Sequence, residues 1–229
     1  MEREFMKKAI CSILVLLSTL LLTPATWAVE TRPDTLVEET AQEVLKIIKR
    51  DKETLSGDKE KILNLVKSKI LPHFNFTRMT RLAMGKNWSK ASPQQQQELE
   101  EAFRTLLVRT YYKALAVYSD HTIKVSPVKD MAGKTDTTVK TEVIPSHGQS
   151  ISINYSMEKT NNVWKVYDIT VAGISLVINY RGTFNSKIRS GGVKGLLKAL
   201  NKKNRAMEDN DKDKEKEKNT ALTIQFKTA

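Results

Sequence analysis

Cysteine is nearly missing from this sequence of 229 residues, which holds a single one, Cys11. One cysteine excludes a disulfide scaffold and a multi-thiolate metal site, and a chain of this length buries enough surface to fold without such staples. Six prolines and nine glycines are too few for a collagen-like or low-complexity chain. Long apolar runs are also scarce. The one candidate, residues 9–22, falls short of the roughly 20 residues a membrane-spanning helix needs. It follows Lys7-Lys8 and leads through Pro24 to the small-residue site Thr26-Trp27-Ala28, the layout of a secretory signal peptide cleaved after Ala28. Met6 makes a more usual start for such a segment than Met1. Cys11 would leave with it, so the expected mature chain has no thiol and lies outside the cytosol.

Acidic residues are outnumbered, 26 against 38 lysines and arginines, giving a net charge of +12. Such a surface favours anionic partners. The basic residues, among them Lys67, Lys69, Arg78, Arg81, Lys86, Arg104, Arg109, Lys187, Arg189 and Lys194, come with no nucleic-acid motif. For an exported protein the nearest polyanion is the phosphate of lipid, and a merely solubilising surface is the alternative. Motifs of catalysis are missing too: there is no HExxH, no Gly-x-Ser-x-Gly and no phosphate-cradling glycine loop. His73, His121 and His147 stand alone at turns and helix ends, so no metal site and no cofactor are expected. Asp168 interrupts an apolar strand and is the one candidate base, although alternation equally turns such a residue toward solvent.

What is present is clear periodicity. Apolar residues spaced three and four apart predict a first helix from Asp34 through Val37, Ala41, Val44, Leu45 and Ile48. A second helix, capped by Asp58, carries Ile62, Leu65, Val66 and Ile70 and ends at Pro72. A third, short one runs from Asn75 to Gly85. Ser92-Pro93-Gln94-Gln95 is a capping box with proline at the first helical position, opening a long helix striped by Leu99, Ala102, Phe103, Leu106, Leu107, Tyr111, Ala114 and Leu115. After His121 the period becomes two, predicting strands at 122–128, 136–144, 150–158 and 163–171. In the third, Ile151, Ile153, Tyr155 and Met157 share a face. Helical period returns with Ile174, Val177, Tyr180, Phe184 and Ile188, and a last helix follows Gly191-Gly192. The order predicts an α+β fold, an antiparallel sheet of about four strands wrapped by N- and C-terminal helices. Residues 204–229 are charge-dense and aperiodic, which predicts a disordered tail behind a domain at 29–203.

Three segments together carry a resemblance: RLAMGKNWSKASPQQQQELEEAFRTLLVRTYYKAL at 81–115, KTDTTVKTEV at 134–143 and WKVYDITVAGISLVINYR at 164–181. They resemble the MlaC-type periplasmic phospholipid-binding proteins, also called the toluene-tolerance auxiliary component family, over roughly residues 34–203. The resemblance implies a cystatin- or nuclear-transport-factor-like fold and a carrier of the Gram-negative envelope. Such a carrier holds a phospholipid ligand and shuttles it between an outer-membrane lipoprotein complex and an inner-membrane ABC transporter complex. It implies no nucleic-acid partner and no enzymatic step. The tail after Asn204 departs from the family, whose members usually end near there.

Under that resemblance the acyl chains lie between sheet and helices. The expected walls are Phe103, Leu106, Leu107 and Tyr111 from the long helix and Val139, Ile151, Ile153 and Tyr155 from the sheet. Tyr167, Ile169 and Val171 from the last long strand complete them, with Ile174 and Val177 just beyond. Ile174 is expected to point into the space between the layers. Two other readings stay open on the residues alone: a small-molecule enzyme using Asp168 on the same scaffold, and an envelope scaffold protein with a fully packed interior.

Overall fold

The structure, a computed structural model, describes residues 31–51, 58–117 and 121–227. The signal-peptide reading of 1–28, with Cys11, lies outside the described residues. Helix α1 spans Pro33–Arg50 and α2 Lys59–Leu65. A π-helical turn, Val66–Ile70, and a 3-10 turn, Leu71–His73, lead into α3, Phe76–Met84. Helix α4 is Pro93–Val117. The strands are β1 Thr122–Val125, β2 Asp136–Ile144, β3 Ile151–Thr160, β4 Val163–Val171 and β5 Ile174–Ser175. Helix α5, Leu176–Lys227, is broken at Gly192, whose φ of 65° and ψ of −168° no helix contains.

The caps form as their residue types dictate. Asp58 accepts the Lys61 N–H at 3.1 Å and Asn75 the Arg78 N–H at 2.9 Å. At α4 the box is reciprocal, with Gln95 N–H donating to Ser92 Oγ at 3.2 Å and Ser92 N–H to Gln95 Oε1 at 3.0 Å. Asp34 is not the N-cap of α1; it sits inside the first turn, where its carboxylate accepts from two of the Arg32 guanidinium nitrogens and, at 2.8 Å, from the N–H of Val128. It thus ties the start of α1 to the loop after β1.

The strands form one antiparallel meander, β1-β2-β3-β4-β5. Five strands replace the expected four, because Ala172 and Gly173, both with positive φ, turn the chain back into a two-residue β5. The register puts Val139, Thr141 and Val143 beside Tyr155, Ile153 and Ile151, and sets Ile153 beside Val171 and Tyr155 beside Ile169. These share the inner face. A bulge at Ser156/Met157 then shifts the pairing, so that Met157 meets Val166.

Three apolar clusters hold the molecule together. The largest is helical, with Met79, Met84, Leu99, Phe103, Leu106, Phe184 and Leu196 at 1% exposure or less. A second joins α1, α2 and α4 through Val44, Ile48, Ile62, Leu65 and Tyr112. The third packs Val37 of α1 on Val139, Met157, Trp164 and Val166 of the sheet.

In the tail expected to be disordered from residue 204, the backbone stays helical to Lys227, and the first part is docked on α4. Asn204 is buried and donates to the Ala102 carbonyl at 2.9 Å, and Arg109 pairs with Glu208 at 3.1 Å. Composition registers only charge density. It does not see that the charges find partners on α4 and α2.

Candidate functional site

Helix α1 is laid along the inner face of the sheet. Its first turn is fixed at Val128, next to the Ser126 N–H that bonds the Lys140 carbonyl, and the helix then packs on β1 and β2. Its N-terminal half closes the Val139 end, where Leu36 and Val37 meet Met157, Trp164 and Val166. Its C-terminal half carries Val44 and Ile48 into the cluster with α2 and α4. The inner face is therefore closed at one end. At the other, Ile151, Ile153 and Val171 remain half-buried although they stand beside the buried Thr141 and Val143.

The thirteen residues expected to line a ligand space divide into three groups. Val139, Tyr155, Ile169, Ile151, Ile153 and Val171 share the inner face. Phe103, Leu106, Leu107 and Val177 belong instead to the helical cluster, where Phe103 packs edge-on to Phe184 and Tyr180 at 5.0 Å. Three remain. Tyr167 falls in the bulged stretch of β4; its half-buried ring packs against the helical cluster, under the Arg78 guanidinium at 3.6 Å, and its hydroxyl donates to Asp136 at 2.9 Å. Tyr111 is 41% exposed, one residue from Tyr112, which faces inward. Ile174, expected to point into the space between the layers, extends the row Thr141, Ile153, Val171 on the edge strand and is 64% exposed there.

The expected walls leave out Val44, Ile48, Ile62, Leu65, Val108 and Tyr112, which form a cluster of their own between α1, α2 and α4. The stripes on the first two helices were the available signal, and they pointed to this cluster as well as to any other.

Burial pushes the Tyr155 phenol up, against a hydrogen bond with Thr141 that pulls it down. Burial, then the charge of Lys165, lowers His73. Asp168 is engaged: one oxygen accepts the Ser175 hydroxyl at 2.5 Å and the other the Val177 N–H at 3.1 Å, which fastens the start of α5. No group of three or more His, Cys, Asp or Glu among the described residues is placed to hold a metal ion, and no described helix is long and apolar enough to cross a membrane. A separate open groove of about 470 Å³ lies between Phe74, Phe76, Glu100 and Arg104 on one side and Asn161, Val163 and Lys165 on the other.

An apolar sheet face left half-covered beneath amphipathic helices suits an apolar ligand, and comparison with known proteins supplies the context. The family model described as MlaC protein matches residues 38–202. The chain belongs to the MlaC family. Among curated relatives, the intermembrane phospholipid transport system binding protein MlaC of Haemophilus influenzae is 24% identical over 77% of this chain and 86% of its own. Toluene tolerance protein ttg2D of Pseudomonas putida is 28% identical over 70% of this chain and 74% of its own. A phospholipid-binding protein from Ralstonia solanacearum, solved in complex with a phospholipid, superposes with a TM-score of 0.72 at 36% identity. That match covers 77% of this chain and 99% of the other. The family is one of lipid-binding transport proteins rather than of enzymes.

Proposed function

We propose that this chain is a phospholipid carrier that holds acyl chains against the inner face of the sheet. The observation that carries the proposal is the match to a lipid-bound protein over 99% of that protein's length, joined to family membership over residues 38–202. Physical chemistry supports it. A two-chain lipid moving through water exposes on the order of 30 methylenes at ~0.8 kcal/mol each, so a carrier must offer apolar surface that polar contacts cannot replace. Ile151, Ile153, Val171 and Ile169 are such surface, not fully claimed by the core. The headgroup stays outside, near the rim marked by Ile174.

The carrier works by binding alone. Asp168, the residue an enzyme would need as its base, is held by Ser175 and the α5 backbone. Export through the signal peptide at 1–28 puts the protein in the periplasm. There it exchanges lipid with an inner-membrane ABC transporter complex and an outer-membrane lipoprotein complex. Mass spectrometry of an organic extract of the purified protein tests the reading directly. Phospholipid in near-equimolar amount, or acquired on incubation with vesicles, supports it. A protein that carries no lipid and takes up none is a scaffold, not a carrier.

A further inference from the structure

We infer that an exposed stripe of α5, Ile178, Arg181 and Arg189, together with Ile174 before it and Lys86 beside it, docks the protein on an anionic membrane surface. The inference rests on the carrier reading for what passes there, and on exposure and charge for the docking itself. Ile174 ends the row that runs across the inner face through Thr141, Ile153 and Val171. Exposure rises along that row, from buried Thr141 through half-buried Ile153 and Val171 to Ile174 at 64%. The apolar row thus comes to the surface at the β5 edge. Ile178 follows in the first turn of α5, where its N–H donates to the Ser175 hydroxyl at 3.1 Å, and it is 61% exposed.

Charge of one sign accompanies these two isoleucines. Residues 169–207 hold eight lysines and arginines and no acidic residue, and residues 75–97 hold four and none. The two stretches touch. The Arg181 guanidinium lies so close over Gly85 that a Cβ there would stand 2.8 Å from its Nη2, and the Asn87 amide donates to Asn185 Oδ1 at 2.8 Å. Lys86 therefore lies where the turn after α3 meets α5. Ile178, Arg181, Asn185 and Arg189 are spaced three and four apart, which puts them on one side of the helix. Lys86, Arg181 and Arg189 are exposed, and no ion pair among the described residues occupies them. Large aliphatic side chains in water among cations of one sign suit a bilayer surface, with apolar tips at the headgroup level and cations on the phosphates. An acidic protein suits them less, because protein interfaces are depleted of lysine and seven of these twelve cations are lysines.

Cosedimentation of the exported protein with phosphatidylcholine vesicles, made with and without phosphatidylglycerol, tests this. The protein should partition onto the anionic vesicles, hardly onto the neutral ones, and come off as salt rises. Removing three cations, by Lys86→Gln with Arg181→Gln and Arg189→Gln, should weaken partitioning roughly ten- to hundredfold. Ile174→Ser with Ile178→Ser should weaken it about tenfold. Lys124→Gln with Lys129→Gln and Lys140→Gln removes as much charge from the β1–β2 side, across the sheet from β5, and should change it less than about twofold. An equal fall in this last variant and the first overturns the stripe in favour of diffuse charge, and unchanged partitioning of the serine variant overturns insertion of the isoleucines. Absence of partitioning on either composition overturns membrane docking and leaves an acidic protein to meet these cations. Uptake of a fluorescent phospholipid in the same mixtures judges the carrier reading by itself: docking without uptake overturns the carrier and leaves the docking surface.

Discussion

Phe103 and Ile153 are both large apolar residues on regular elements, yet Phe103 exposes nothing while Ile153 is left half-buried. The helical core interlocks Phe103 with Phe184, Leu99, Leu106 and Leu196. On the inner face of the sheet, Val37, Val139, Met157, Trp164 and Val166 form a buried cluster where α1 begins, while Ile151, Ile153 and Val171 stay half-buried. The difference separates two tasks. One region fixes the fold and has no slack, and the other leaves apolar surface that the proposed carrier would use.

The largest effect should come from the closed region. Phe103→Ala removes a ring from a filled core and should cost about 3 to 5 kcal/mol, seen as a melting temperature lower by roughly 10 °C. Ile153→Glu should act in the opposite sense. The carboxylate rests against acyl chains when lipid is bound and reaches water when it is not, so lipid content should collapse while the far-ultraviolet circular dichroism stays native. Equal loss of stability in the two variants would erase the distinction between the regions.

Asp34 tests what holds α1 over the sheet. Burial alone would raise its carboxyl, but hydrogen bonds from Arg32, Val128 and Thr35 outweigh that and hold it below the ordinary value near 4. A lowered value means that its contribution is complete above the ordinary value and is lost as pH falls through the folded one. Asp34→Asn should therefore cost about 1 to 2 kcal/mol at pH 7 and progressively less as pH falls below the ordinary carboxylate value, read as converging melting temperatures of variant and native chain. At the rim the effect should be smallest. Ile174→Glu should change stability by less than about 0.5 kcal/mol, and a larger loss would return Ile174 to the interior.

The local elements were legible where one residue type has one physical use. Asp58, Asn75 and Ser92 with Gln95 mark helix starts because their side chains satisfy orphan N–H groups, and alternation in β3 marks the inner face correctly. The site was less legible, for three reasons. A bulge at Ser156/Met157 breaks the alternation on which Tyr167 was grouped with Ile169 and Val171, and no residue pattern announces it. The stripe on α4 is broad, so neighbouring tyrosines compete for the same face, and packing turned Tyr112 inward and left Tyr111 outside. The closed helical core and the half-covered sheet face use the same apolar residues. Only the arrangement in space tells which of them are filled.

The short stretch after the π turn has a consequence for cooperativity. Leu71 packs against both the helical cluster and the one around Ile48, while Phe74 packs against the helical cluster and the sheet cluster. Phe74 also bridges Val166, and the Asn75 N–H donates to the Val166 carbonyl at 2.8 Å. Two side chains three positions apart, Leu71 and Phe74 with Pro72 and His73 between, therefore join the three clusters. A chain built this way unfolds in a single transition, and its reserve of open apolar surface rides on a frame that does not come apart in pieces.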